Sequence, residues 1–429
     1  MHNVLYIATE HDSVYAFDAP GGSLLWHISF LKPGSVGTLD SADVQCPFIH
    51  PEIGITSTPV IDLQTGTLYI LARTRESRTL GTARFVQRLH ALAITTGVEK
   101  FGGPVELDTP GFDGRHENPR AGLLLANDQV IMTWGSSCDV KPYNGWVMAY
   151  DKRTLKQSAA FNTSPGSGES GIWQADMAPA ADNAGNIYFA TGNGNFRSGS
   201  DYGDSVLRLH LNAGRLNVQD FFTPSNQEAL NLRDADIGSG GPLLLPDQPG
   251  PHPHLLLTGG KNATLYVLDR DRMGRYQSGV NAHAVQTIHL GRGIYSAPAY
   301  WNGHVFMLAS NDLLSDFKLD HGRLPDRPTN TGNHLFDNPG ATPAVSANGG
   351  IDGIVWVLET KVWNDYEGRP AVLFAYDASD VSHDIYRSST NPRDEAGNAL
   401  RFVIPTVVNG HVYVGTKGEV DVYGLRTVE

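Results

Sequence analysis

Short runs of β-branched, aliphatic and aromatic residues alternate along this chain with clusters of turn-forming residues. The first stretch has three such runs, at residues 4–9, 13–18 and 24–27, and Gly21-Gly22 separates the second run from the third. Runs of this length bounded by Gly, Asn, Asp or Pro are typical of β-strands joined by tight turns. The pattern therefore predicts a protein built from β-hairpins, with four strands in each repeating unit.

The same arrangement returns along the whole sequence. Three later copies occupy residues 121–165, 171–224 and 236–290. Four others begin near Gly54, Ile294, Gly340 and Val403. Eight units with a spacing of roughly 40 to 55 residues match the blades of a β-propeller. We therefore predict an all-β fold, an eight-bladed β-propeller of four-stranded antiparallel blades, with seven blades as the alternative. The chain would form a single domain over residues 1–429, and its first and last blades would each be incomplete.

Composition and charge exclude several classes of partner. The 47 Gly and 25 Pro residues favour turns over long helices. The chain has 32 basic and 45 acidic side chains, and its formal net charge of −13 argues against nucleic acid or an anionic membrane surface as a partner. No apolar run is long enough for a membrane span. Met1 leads directly into a strand-like segment, so no signal peptide opens the chain.

The amino-acid sequence of the repeats resembles that of a known protein family. Residues 15–19 read Tyr-Ala-Phe-Asp-Ala and run on to Leu25-Trp26, and residues 265–270 read Leu-Tyr-Val-Leu-Asp-Arg. Along nearly the whole chain these phrases resemble the quinoprotein alcohol dehydrogenase family, whose members are eight-bladed propellers that bind pyrroloquinoline quinone (PQQ) and calcium. The resemblance implies a PQQ- and calcium-dependent dehydrogenase that oxidises an alcohol or a sugar. It also implies a periplasmic or secreted protein.

Three positions match residues that contact the quinone in this family. Trp173 matches a Trp that stacks beneath the quinone, because a planar cofactor needs a planar floor. Ser137 matches a member of a quinone-contacting stretch. Lys261 matches the cation that contacts the quinone oxygens and would stabilise the reduced form. A Trp packed between blades and a Lys exposed on the surface are the alternatives for Trp173 and Lys261.

Three further positions match the metal site and the catalytic base. Asn193, in the phrase Thr-Gly-Asn-Gly, matches the Asn whose side-chain oxygen binds calcium. Asp234 matches the carboxylate that lies beside the metal and takes the hydroxyl proton of the alcohol. Asp236 matches a second acidic residue that adds a metal contact in some members. An Asn-Gly turn and a solvated acidic loop are the alternatives.

The chain departs from the family pattern at several positions. Val140 stands where the family has a calcium-binding Glu, and Ile53 stands where an Arg grips the quinone carboxylate. Arg233 replaces a Trp before the catalytic Asp, and the vicinal cysteine pair of the family is absent. These departures keep a second interpretation open, in which a non-catalytic PQQ-like propeller binds a ligand or a protein. The partner is accordingly a small-molecule substrate or a protein.

The chain has two cysteines, Cys46 and Cys138, which are too few for a thiolate zinc site. The resemblance puts both at the mouth of the same pore, on neighbouring blades. A disulfide across the two blades and a pair of buried thiols are both compatible with this placement.

Overall fold

The computed structural model describes residues 3–19, 21–77, 82–174, 177–281, 283–360 and 368–425. The protein is all-β, with 47% of its residues in strands and 4% in helices, and its strands form an eight-bladed β-propeller. The predicted fold class and the count of eight blades, rather than seven, are therefore confirmed. No helix among the described residues is long and apolar enough to cross a membrane.

The chain divides into two compact units. Unit 1 consists of Met1–Asp204 with Arg208–Gln219, and unit 2 consists of Ser205–Leu207 with Asp220–Glu429. That they act as a single domain over residues 1–429 stays a prediction.

The first three blades belong to unit 1. Blade one consists of β1 (Val4–Ala8), β2 (Ser13–Asp18) and β3 (Leu24–Ser29). Blade two consists of β4 (Val36–Gly37), β5 (Val60–Asp62), β6 (Thr67–Ser77), β7 (Ala83–Ala93) and β8 (Val105–Glu106). Blade three consists of β9 (Glu117–Asn118), β10 (Leu124–Ala126), β11 (Gln129–Ser136), β12 (Trp146–Asp151) and β13 (Gln157–Asn162). Helix α1 (Ser41–Val44) lies between β4 and β5 in the sequence.

Blade four follows blade three in the sequence. Its strands are β14 (Ala180–Ala181), β15 (Asn186–Ala190), β18 (Val206–Asn212) and β19 (Arg215–Thr223). Strands β16 (Phe196–Arg197) and β17 (Asp201–Tyr202) form a separate hairpin, and β23 (Arg275–Tyr276) adds to β19 in parallel orientation. This parallel pair is an exception to the predicted antiparallel pattern.

The last four blades belong to unit 2, which also contains helix α2 (Gln227–Leu232). Blade five consists of β20 (Leu243–Leu244), β21 (Leu255–Gly259), β22 (Thr264–Asp269) and β24 (Gln286–His289). Blade six consists of β25 (Ala299–Trp301), β26 (His304–Met307), β27 (Asp312–Lys318) and β28 (Asn330–Phe336). Blade seven consists of β29 (Ala344–Asn348), β30 (Ile351–Glu359), β31 (Val372–Asp377) and β32 (Asp380–Arg387), and blade eight of β33 (Thr406–Val408), β34 (His411–Thr416) and β35 (Glu419–Gly424). Two single-turn 3-10 helices, Ser388–Thr390 and Pro392–Asp394, follow blade seven.

Blades one and eight each have three strands in the described part of the chain, as the repeats predicted. The missing strand affects burial in blade one. Strand β1 is half-buried along its whole length, whereas β11 and β21, which have neighbours on both edges, are completely buried.

The core of each unit lies between successive blades. In unit 1, Tyr69 and Leu71 of blade two pack with Met132, Trp134 and Met148 of blade three. All five side chains are almost inaccessible to solvent. Burying a large apolar side chain contributes about 1.5–3 kcal/mol, so these contacts hold blade two against blade three. The propeller thereby provides rigid strands, and its loops carry the candidate functional residues.

Candidate functional site

Two of the predicted site positions in unit 2 lie on the loop that follows helix α2. The helix ends at Arg233, and Asp234 adopts a left-handed backbone conformation with φ of 51°. The loop is held against the turn after β21, where the backbone N–H of Lys261 donates to the carbonyl oxygen of Asp236 at 2.8 Å. Gly260 permits this approach because a Cβ atom there would overlap the same carbonyl. The sequence therefore folds locally so that Asp234, Asp236 and Lys261 meet.

The ammonium group of Lys261 lies between the two carboxylates. Its Nζ atom is 2.5 Å from Oδ1 of Asp234 and 2.7 Å from Oδ2 of Asp236. Asp234 is largely exposed, whereas the side chain of Asp236 is 2% exposed and also accepts the backbone N–H of Gly238 at 2.9 Å. The trio therefore has one more negative charge than positive charge when all three groups are ionised.

Burial and charge act against each other on the pKa values of this trio. Burial raises the pKa of Asp236, and the nearby Lys261 offsets only part of that increase. Burial alone would lower the pKa of Lys261, but Asp236 and Asp234 outweigh it and raise that pKa above its ordinary value. Lys261 therefore stays protonated at neutral pH and is unsuited to act as a base or a nucleophile.

Trp173 lies in unit 1, where its indole ring packs on the backbone of β11. A Cβ atom at Gly135 would lie 3.2 Å from Cδ2 of Trp173, which is tighter than most Cβ contacts, so the glycine favours this close approach of the ring. The neighbouring backbone is fixed by the N–H of Ile172, which donates to the carbonyl of Trp134 at 3.0 Å. The indole is partly exposed. One side of the ring thus contacts protein while the ring retains some access to solvent, which suits a stacking floor.

Asn193 and Ser137 also belong to unit 1. The carbonyl oxygen of Asn193 accepts the backbone N–H of Ser170 at 2.6 Å, which places the Asn193 loop beside the segment that leads to Trp173. Ser137 is 7% exposed and follows the end of β11, and its carbonyl accepts the N–H of Val140 at 3.2 Å. The structure thus joins the Asn193 loop to Ser170, which precedes Trp173 in unit 1, and it joins Asp234, Asp236 and Lys261 in unit 2. The convergence of all six positions on one cofactor stays a prediction.

The two cysteines form a disulfide. Cys46 and Cys138 are bonded, with their Cα atoms 5.4 Å apart and 92 positions apart in the sequence. The alternative of two buried thiols is therefore excluded. The bond links the segment after α1 to the segment after β11, on blades two and three as the resemblance implied.

Sequence reasoning missed a buried charged cluster in unit 1. Arg73 is completely buried, and its guanidinium donates to the carbonyl oxygens of Gly114 and Arg115 and, at 3.1 Å, to Oδ1 of Asn118. Arg73 directly follows the apolar run of residues 68–72, and a charged residue that continues a buried strand is the signal that would have identified it.

Two acidic residues near Arg73 are also almost inaccessible to solvent. Burial raises the pKa of Asp12 to about 8 and the pKa of Glu117 to about 7. The negative charge of Glu10 and Glu52 raises the pKa of Asp12 further, and Arg73 opposes it. The negative charge of Asp113 likewise raises the pKa of Glu117. Asp12 is therefore mainly protonated at neutral pH.

Calcium does not fit the residues at the predicted metal site. Val140 offers no oxygen at the position of the family's Glu, and Asp234 and Asp236 already bind an ammonium group. Calcium prefers several oxygen ligands that can face it together. Among the described residues, no group of three or more His, Cys, Asp or Glu side chains is arranged to hold a metal ion.

PQQ does not fit the residues at its predicted carboxylate-binding position either. Ile53 replaces the family's Arg and is 2% exposed. The backbone N–H of the next residue, Gly54, donates to Oε2 of Glu10 at 2.9 Å, and the Cγ atom of Asp12 lies 2.9 Å from where a Cβ of Gly54 would stand. The Glu10 carboxylate beside this position would repel the carboxylates of the quinone. We derive no reaction step through PQQ or calcium.

Searches for similar structures support the fold. The chain resembles BamB from Moraxella catarrhalis with a TM-score of 0.58 and 14% identity, over 99% of this chain and 95% of that one. It resembles the quinohemoprotein alcohol dehydrogenase of Comamonas testosteroni with a TM-score of 0.59 and 15% identity, over 96% of this chain and 68% of that one. It also resembles the quinohemoprotein alcohol dehydrogenase ADHIIG of Pseudomonas putida HK5, with a TM-score of 0.56 and 15% identity, over 96% of this chain and 68% of that one. The resemblance to PQQ-like propellers is thus confirmed for the fold.

Comparisons of sequence give no further information. No protein-family model matches the chain, and no curated protein does.

Proposed function

The chain has the propeller fold found in the quinohemoprotein alcohol dehydrogenases and in BamB, and from this premise we propose that it is a non-catalytic PQQ-like propeller that binds a ligand or a protein partner. A fold alone does not select between catalysis and binding. The proposal therefore depends on the chemistry of the site residues.

One observation carries the proposal: the Lys261 ammonium contacts the carboxylates of both Asp234 and Asp236. A general base must accept a proton from its substrate, and a calcium ligand must offer unshared oxygen lone pairs. The ion pairs reduce the capacity of both carboxylates for either task. The replacement of the family's calcium-binding Glu by Val140 acts in the same direction.

The decisive experiment is reconstitution of the purified protein with PQQ and calcium. We expect no stoichiometric quinone absorbance after gel filtration and no dye-linked oxidation of alcohols or sugars. A quinohemoprotein alcohol dehydrogenase treated in the same way is the positive control. Stoichiometric uptake of quinone together with turnover would overturn the proposal.

The dehydrogenase interpretation is the second candidate, and the partly exposed indole of Trp173 on Gly135 favours it. Under this interpretation Asp234 is the base, Lys261 contacts the quinone and Asn193 holds calcium. Asp234→Ala would then abolish PQQ-dependent turnover, and Trp173→Ala would weaken quinone binding. If the wild-type protein shows no turnover, neither variant will change the assay result, and the binding proposal stands.

The disulfide bears on where the protein acts. Disulfides persist in oxidising compartments and are rare in the cytosol. The Cys46–Cys138 bond therefore supports a periplasmic or secreted location. The net charge of −13 favours a partner other than nucleic acid.

A further inference from the structure

A segment of unit 1, residues 39–53, lies between β4 and β5 in the sequence, and we name it the strap. Its two ends are joined by a pair of backbone hydrogen bonds between Leu39 and Ile53, at 3.1 and 2.8 Å. Helix α1 lies within it and begins with a capping box, in which the Asp40 carboxylate accepts the N–H of Asp43 at 3.0 Å and the Asp43 carboxylate accepts the N–H of Asp40 at 3.1 Å. The strap is thus a locally ordered element.

The strap packs on the remainder of unit 1 through apolar and polar contacts. Its small apolar cluster contains Leu39, Val44, Cys46 and Ile53, with Ile49, Phe85 and Cys138 packed at the edge. This cluster is much smaller than the one between blades two and three. The apolar contribution to holding the strap is correspondingly modest.

Two arginines contact the strap through Asp43. Nε of Arg115 donates to the carbonyl oxygen of Asp43 at 2.6 Å, and Nε of Arg75 lies 3.4 Å from its carboxylate. The Arg75 side chain is 47% exposed, so this ion pair is weakened by solvent. Glu52 of the strap also contacts the imidazole of His11, and solvent weakens this pair too because both side chains are exposed. The covalent attachment of the strap adds to these solvent-weakened contacts.

That attachment is the disulfide from Cys46, in the strap, to Cys138, which follows β11. Cys46 is 7% exposed, whereas Cys138 is partly exposed. An incoming thiolate therefore has better access to the sulfur of Cys138. These are the only two cysteines in the sequence, so no competing thiol within the chain rearranges the bond.

The strap lies against the buried charged cluster. Arg115, which binds the strap at Asp43, also offers its carbonyl oxygen to the guanidinium of Arg73. Directly after the strap, Gly54 donates its N–H to Glu10 and packs against Asp12. Release of the strap would remove contacts from both sides of this cluster and admit water to it.

We propose that Cys46–Cys138 is a reversible redox latch, reduced by a dithiol of a partner protein, and that its reduction opens the strap over the Arg73 cluster. The first thiolate of the dithiol attacks Sγ of Cys138, forms a mixed disulfide and expels the Cys46 thiolate, which takes up a proton. The second partner thiolate attacks the partner's own sulfur in the mixed disulfide and expels the Cys138 thiolate, which is also protonated. Two electrons pass from the dithiol to this chain, and the partner leaves as a disulfide.

Hydrogen exchange followed by mass spectrometry tests the latch in the full chain. The probe is a small protein with a Cys-x-x-Cys dithiol, and the chemical control is a phosphine reductant. After reduction we expect amide exchange in residues 39–53 to accelerate about tenfold or more, since local opening exposes these amides. Exchange in residues 147–151 of blade three, in the same unit, should not change.

The variant Cys46→Ser/Cys138→Ser provides an independent measurement, since it lacks the latch without any reductant. It should reproduce the fast exchange of the strap and should be unaffected by the dithiol. Unchanged exchange of the strap after complete reduction would overturn the proposal. Equal acceleration in residues 39–53 and 147–151 would also overturn it, because the bond would then stabilise unit 1 as a whole. The proposal would also be overturned if the dithiol reduced the disulfide of the unfolded chain readily but did not reduce that of the native protein.

Discussion

Asp12 is a carboxylic acid enclosed by protein, and its protonation should make the stability of this chain depend on pH. Burial raises its pKa to about 8 in the folded state, against ~3.9 for an exposed Asp. Its favourable contribution is complete below the unfolded pKa and is lost as the pH rises through the folded pKa. We expect the free energy of unfolding to fall by about 1 kcal/mol per pH unit between roughly pH 5 and 8 from this group.

The variant Asp12→Asn isolates this effect. It should remove that part of the pH dependence, so that its stability relative to wild type rises as the pH increases. Urea unfolding at several pH values between 5 and 9 measures the difference. Asp320→Asn, at a side chain that is 84% exposed, is the control and should leave the pH profile unchanged. Parallel profiles for wild type and Asp12→Asn would show that the carboxyl group is not held neutral.

Lys261 should matter more for stability than its exposed partner does. Lys261→Met leaves the carboxylate of Asp236 buried without its cation, and removing one partner of a buried ion pair typically costs about 3–5 kcal/mol. Because Lys261 is 24% exposed, we expect a value near the lower end, about 3 kcal/mol. Asp234→Ala should cost less than about 1 kcal/mol, because Asp234 is 65% exposed. Thermal and urea unfolding provide the values.

A second substitution separates charge from packing. In Lys261→Met/Asp236→Asn the uncompensated charge is gone, so the double variant should recover part of the lost stability. No recovery would mean that the lysine stem, rather than its charge, supports the loop after α2.

At the scale of elements, the hairpin of β16 and β17 depends on a glycine contact. A Cβ atom at Gly203 would overlap the carbonyl oxygen of Gly194, directly after Asn193. We expect Gly203→Ala to destabilise the protein by about 3 kcal/mol, because the obstacle is backbone that cannot rotate away. Gly37→Ala is the matched control, since no atom lies within 4 Å of a Cβ there. Unfolding by urea compares the two, and equal effects would contradict this account of the Asn193 loop.

The sequence predicts the blades well because each is a local pattern. Short, mainly apolar runs such as residues 146–151 and 264–269 form strands where the sequence pattern predicts them. Strand β6 is longer than its apolar run suggests, and Arg73 within it is buried only because carbonyl groups from residues 114 and 115 accept its N–H groups. Such partners are more than 40 positions away. No local pattern encodes a contact of that kind.

The candidate site, like the blades, could be predicted only in part from the sequence. The motif around Lys261 and Asp234 identifies residues that do meet, 27 positions apart in the sequence. The motif does not reveal that the ammonium binds both carboxylates, because that depends on the close approach of two loops at Gly260. Likewise, the sequence left the pairing of Cys46 with Cys138 open, because disulfide formation requires a distance that only the fold provides.

At the scale of the whole molecule, unit 2 should require its last blade for solubility. Val412 and Val414 of β34 belong to one apolar cluster with Leu358 and Leu373 of blade seven, and all four are almost inaccessible to solvent. Deleting residues 403–429 would expose the face of blade seven that these valines cover. Each uncovered aliphatic side chain forfeits about 1.5–3 kcal/mol of burial, and an uncovered apolar sheet face promotes association.

We therefore expect the chain truncated before Val403 to aggregate, which sedimentation velocity at micromolar concentration measures directly. A chain that ends at Gly424 keeps β33, β34 and β35 and is the matched control, so it should sediment as the full chain does. The point variant Val414→Asp tests the same contact without shortening the chain, because it buries a carboxylate within an apolar cluster. If the truncated chain stays monodisperse and unfolds cooperatively, blade eight is dispensable for unit 2. The apolar contact with blade seven would then not be what keeps the protein in solution.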